Sequence, residues 1–95
     1  MKLEHIMNVG LAEVIKQEQV IVGGDGKHSI NDVQYFYLPN EEILVKNSHG
    51  EYKFKVKDVK FSTSIAGALI VCYVLYESDD FSKIQIGDMV YKVIK

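Results

Sequence analysis

Apolar and polar positions alternate along most of this chain, and one stretch breaks the alternation. Residues 65–76, Ile-Ala-Gly-Ala-Leu-Ile-Val-Cys-Tyr-Val-Leu-Tyr, carry no charge and no proline. A membrane-spanning helix needs about 20 such residues, and Glu77-Ser78-Asp79-Asp80 closes the run with charge. Ile70, Val71 and Val74 are β-branched, and Tyr73 and Tyr76 suit a pleated surface. The run therefore predicts a central strand. Leu69, Val71, Tyr73 and Leu75 fall on one face, and Ile70, Cys72, Val74 and Tyr76 on the other. Both faces are apolar, so both call for cover: a barrel interior on one side, another element or a second subunit on the other.

Shorter strands flank this run. Gln19 to Val22, Ile30 to Leu38, Glu42 to Lys46, Tyr52 to Phe61 and Met89 to Ile94 each read as one. Gly23-Gly24-Asp25-Gly26 and Asn47-Ser48-His49-Gly50 read as hairpin turns. Pro39, the sole proline, ends the second of these strands. In Tyr52 to Phe61 the alternation slips near Asp58, which predicts a β-bulge. Residues 2–18 allow two readings. Leu3, Ile6, Met7, Leu11, Val14 and Ile15 recur at helical spacing. Gly10 in their midst costs a helix about 1 kcal/mol, and Asn8-Val9-Gly10 reads equally as a turn before a strand. The helix is favoured, because it would cover the second face of the central strand. The expected architecture is mainly β: one domain over residues 1–95, with a short N-terminal helix or strand over 1–18 and a barrel of about six strands over 19–95.

Residues 54–94 carry a further pattern: Phe54-Lys55-Val56-Lys57-Asp58-Val59, Phe61, Gly67, the apolar run from Ala68 to Tyr76, Lys83-Ile84-Gln85-Ile86-Gly87-Asp88 and Met89-Val90. This resembles the second domain of translational GTPases such as elongation factor Tu. The resemblance implies a β-barrel and a setting beside nucleic acid or ribonucleoprotein. The chain departs from the family at Ala66, where an arginine often precedes the glycine, and at residues 77–80, where the family is glycine-rich.

Composition narrows the function classes. A chain of 95 residues makes one domain and buries about 60 % of its unfolded surface, enough to fold without staples. The single cysteine, Cys72, excludes an internal disulfide and is expected to be buried, which suits a reduced, cytoplasmic setting. The N-terminus reads as an untargeted start. Net charge is -2, with eleven lysines and no arginine, and arginine is the preferred reader of phosphates and base edges.

Candidate chemistry is sparse. Gly23-Gly24-Asp25-Gly26-Lys27-His28 superficially matches a phosphate-binding loop, but Ile21 stands where the first glycine belongs and His28 where serine or threonine must follow the lysine. His5, His28 and His49 lie at no ligand spacing and read as turn histidines, so no metal or cofactor is expected. Glu77, Asp79 and Asp80 read as a solvated acidic loop. Ser62, Thr63 and Ser64 have no base beside them, so no catalytic residue is assigned and the chain is not read as an enzyme. The expected function is a non-catalytic barrel that binds another protein or itself. The alternative is a nucleic-acid accessory barrel. Its surface would be the lysine-rich strand Lys53, Lys55 and Lys57, joined by Tyr35 and Tyr37 as stacking aromatics.

Overall fold

A computed structural model describes residues 2–94. Six antiparallel strands close into a barrel-like ring in the order β1-β2-β5-β4-β3-β6. The strands are β1 (Lys2–Ile15), β2 (Glu18–Gly24), β3 (Glu42–Asn47), β4 (Gly50–Thr63), β5 (Leu69–Leu75) and β6 (Met89–Ile94). Among the described residues one α-helix, α1, spans Val33–Phe36, preceded by a 3-10 turn at Ile30–Asp32, and a second 3-10 turn spans Asp79–Lys83.

The expected N-terminal helix is a strand instead. β1 has two partners: Lys2 to Asn8 pair with β6 and Asn8 to Ile15 with β2. It is the strand that closes the ring. Register shifts between His5 and Met7 and between Val9 and Leu11 bend it from one partner to the other. These two slips turn a period-2 pattern into one that mimics helical spacing. At the second slip, Val9 N–H donates to the Asp88 carbonyl and Gly87 N–H donates to the Val9 carbonyl, so both backbone groups of Val9 stay paired. Gly23 permits the β1–β2 approach, since a Cβ there would fall against the Asn8 carbonyl.

The expected strand over Ile30 to Leu38 is also overturned. The Ser29 side chain accepts from Asn31 N–H, and the Asp32 carboxylate accepts from Ser29 N–H, a reciprocal cap that starts a helical turn. Phe36 and Leu38 then enter the core. The central strand is shorter than its apolar run, because Ser64 to Ala68 form the turn that leads into it. The bulge near Asp58 is present as a register shift between Val56 and Asp58.

The core fills the ring. Ile21, Ile43, Val45, Val56, Val71, Tyr73 and Val90 are fully buried, and each large apolar side chain removed from water contributes about 1.5–3 kcal/mol. Phe36 and Phe81 join this cluster from the two helical segments. Tyr73 Oη donates to the Phe36 carbonyl at 2.8 Å, so the central strand anchors α1 from inside the barrel. No helix among the described residues is long and apolar enough to cross a membrane.

Candidate functional site

Two surfaces stand out from the barrel. The first is the outer wall over β2, β5 and β4. Ile21, Tyr73 and Val59 share one row and point inward. The rows on either side therefore point outward. One is Glu13–Val20–Val74–Asp58, and the next is Leu11–Val22–Cys72–Lys60. The outer face of the central strand is thus continued by Val20, Val22 and Leu11, with charge at its margins. Ile15, Val20, Cys72 and Val74, with Glu18 and Lys60, line a groove of about 210 Å³ on this wall. Among the described residues no helix covers it, since the segment expected to do so is β1 itself. Val20 and Val74 are sheltered by neighbouring side chains, while Leu11 and Ile15 stay 36 % and 42 % exposed. Cys72, expected to be buried, is half-buried on this outer face, and removal from water raises its thiol pKa. It is a packing residue of the wall rather than an activated nucleophile.

Lys53, Lys55 and Lys57 are all exposed on β4, as their alternation requires. Acidic and aromatic neighbours interrupt the row. Lys57 Nζ lies 3.6 Å from the Glu18 carboxylate. Lys55 sits opposite Glu42 and places its ammonium 5.8 Å from the Tyr76 ring. Tyr35 and Tyr37 do not continue this row as strand residues. Tyr35 lies in α1, and Tyr37 caps that helix with half its surface exposed.

The second surface is a polar cleft of about 480 Å³ beside α1, lined by Glu4, His5, Asn8, Asp25, His28 and Tyr35 among others. The turn after β2 builds it. Asp25 Oδ1 accepts from Lys27 and His28 N–H, while Asp25 Oδ2 meets His28 Nδ1. Burial alone would raise the Asp25 pKa; the two backbone donors and the His28 ring outweigh it and leave the carboxyl below its ordinary value. The His28 ring stacks on Tyr35 and meets Phe36 edge-on. Lys92 Nζ lies 4.6 Å from the Tyr35 ring centroid. Glu4 and Lys92 are register partners on the face of Ile43. Burial, with the Glu4 carboxylate nearby, pushes the Tyr35 phenol up to about 12, so it stays protonated at neutral pH. His5 Nε2 lies 2.6 Å from Asn8 Oδ1.

Sequence reasoning missed this cleft, because its residues come from β1, the turn after β2, and α1. The legible trace was Asp25-x-x-His28, a spacing that lets an Asx turn orient an imidazole. Among the described residues no group of three histidine, cysteine or acidic side chains is placed to hold a metal ion. No protein-family model, curated protein or solved structure matches this chain.

Proposed function

We propose that this protein is a non-catalytic β-barrel module that works by protein–protein association, with a second copy of itself as the partner. The observation that supports this reading is the outer face of β5. Ile70, Cys72 and Val74 lie on it between Val20 and Val22 on β2 and the charged pair Asp58 and Lys60 on β4, and no other element of the described chain packs over it. Apolar surface rimmed by polar residues marks association sites on small domains. The inner face of the same strand belongs to the core cluster; on the outer face Val20 and Val74 are sheltered within the chain, while Ile70, Val22 and Cys72 stay half-buried and Leu11 exposed. A reduced, cytoplasmic setting belongs to the same proposal, because Cys72 is a free thiol on that wall.

The size of the wall sets the strength. Three strands at about 4.8 Å spacing and seven residues at about 3.3 Å span roughly 330 Å². That is well under half of the ~800 Å² each partner buries in a standard interface. The association is therefore reversible and concentration-dependent. Light scattering from micromolar to near-millimolar protein tests it. A molar mass that rises from one chain toward two is expected. A mass of one chain over the whole range overturns the proposal.

Nucleic-acid binding through Lys53, Lys55 and Lys57 has one supporting feature, their shared exposure on β4. The neighbouring Glu18, Glu42 and the Lys46–Glu51 ion pair weaken the field such a surface needs.

A further inference from the structure

The outer wall carries enough pattern to fix how two copies would meet. The geometry rests on the self-association proposed above and deepens it. Two rows matter. Asp58 ends the row of Val20 and Val74, and Lys60 ends the row of Val22 and Cys72. Asp58 and Lys60 are both exposed, stand two residues apart on β4, and have no ion-pair partner among the described residues. Asp58 spends one carboxylate oxygen on Val59 N–H, at 2.8 Å, and the other is free.

Face-to-face sheets lie about 10 Å apart with strands close to aligned. A two-fold dimer of this wall has two simple arrangements. With the axis along the strands, the copies run parallel and the strand order reverses, so β4 of one copy lies over β2 or β1 of the other. With the axis across the strands, each strand lies antiparallel over its own copy and the rows exchange. In the second arrangement, an axis between the two rows puts Val74 over Cys72 of the other copy and Val20 over Val22. It also puts Asp58 over Lys60, twice by symmetry. Ile70 then falls over the exposed ring of Tyr76. Val20, Val22, Cys72 and Val74 thus meet one another and Asp58 meets Lys60, while at the β1 margin Glu13 falls over Leu11. The first arrangement sets Lys60 against the row-mate Leu11 or Val22 and leaves it unpaired.

We infer that the protein forms an isologous dimer through the outer wall of β2, β5 and β4, with β5 antiparallel over β5 and paired Asp58–Lys60 contacts fixing the register. The two ion pairs lie at the rim, where they cost little desolvation and exclude the parallel arrangement by leaving its charges unmatched.

Charge reversal tests the register separately from association itself. Molar mass is measured for the native chain, for Asp58→Lys, for Lys60→Glu, for the double variant and for an equimolar mixture of the two single variants. Each single variant sets like charges together twice and is expected to weaken the dimer by about tenfold or more. The double variant restores opposite charges and is expected to dimerise within about threefold of the native chain. The mixture is the sharper arm. The Asp58→Lys chain is cationic at both rim positions and the Lys60→Glu chain anionic at both, so opposite charges face each other across a mixed pair. Heterodimers are expected where neither variant pairs alone. Both positions are exposed, and circular dichroism of each variant checks that the fold survives, above all in Asp58→Lys, which loses the bond from Val59 N–H. A native dimer that no single reversal weakens, or a mixture that does not recover, overturns the register while leaving self-association standing. A native chain that is monomeric throughout overturns both.

Discussion

The outer wall of β5 and the cleft beside α1 are both unfilled surfaces of one small barrel, and they are built in opposite ways. The wall comes from repetition. Every second residue of three paired strands points outward, so Val20, Val22, Cys72 and Val74 form one apolar patch without any long-range polar contact. The cleft comes from convergence. Glu4 and His5 on β1, the Asp25 turn and Tyr35 on α1 meet only because the ring has closed. A surface made by repetition is robust to single changes and suits a broad, weak contact. One made by convergence depends on each anchor beneath it.

The largest effect that separates these regimes lies on the two faces of β5. Leu75 is buried in the core, and Leu75→Ala is expected to destabilise the fold by about 2–5 kcal/mol through lost burial and a cavity. Cys72 lies on the outer face, and Cys72→Ala is expected to cost below about 1 kcal/mol of monomer stability. Denaturant midpoints of the two variants, taken at low protein concentration, check the contrast. Equal losses would mean that the outer face is as integral to the monomer as the core.

The cleft's anchor comes next. Tyr73→Phe removes the donor that satisfies the Phe36 carbonyl and is expected to cost about 1–3 kcal/mol. Because that bond holds α1, the variant should also shift the NMR signals of Tyr35 and His28, which stack on one another at the cleft. Signals of Leu11 and Val22 on the wall should stay in place. A variant that disturbs both surfaces alike would show that the cleft has no separate anchor.

That asymmetry also explains what could be read from the chain. The two-sided apolar strand, the bulge near Asp58 and the hairpin at Asn47 to Gly50 were legible, because each rests on local period or turn chemistry. The ring closed by β1 was not. Its two register slips carry Ile6, Met7 and Val9 all to the core, a spacing that imitates one face of a helix. Ile30 to Leu38 alternated like a strand, yet the Ser29–Asp32 cap and the demand for Phe36 in the core prevailed. Lys53, Lys55 and Lys57 were placed correctly on one exposed strand, while Tyr35 was assigned to a pleated face and belongs to a helix over the cleft. Tertiary context decided each miss.

A smaller gain of stability is expected at the hairpin beside the wall. Lys16 and Gln17 join β1 to β2 with φ of 49° and 68°, left-handed values that favour Asn-Gly over these residues. Lys16→Asn with Gln17→Gly should stabilise the monomer by about 1 kcal/mol. Lys16 borders the groove, so the change also shortens one of its walls. If the groove edge contributes to dimer affinity, thermal stability should rise while the monomer–dimer equilibrium weakens, and a rise in both would separate the hairpin from the contact.

The smallest effect is at the cleft's turn and appears only in acid. The Asp25 carboxyl is held below its ordinary pKa of 3.8, so the unfolded chain binds its proton at higher pH than the folded chain does. Its contribution to stability is present above the unfolded value and is lost as pH falls through the lower, folded one. Asp25→Asn removes that linkage, although its side-chain oxygen can still accept from both N–H groups of the turn, which share Oδ1. The native chain should therefore be the more stable at neutral pH, and the gap between the two should close below about pH 4. Urea midpoints from neutral pH down to about pH 2 read this directly. A gap that persists unchanged into strong acid would assign the effect to the turn's shape rather than to the charge that orients His28. A wall variant such as Cys72→Ala, which touches no carboxylate, should run parallel to the native curve throughout, since only the converged surface links its geometry to a titrating group.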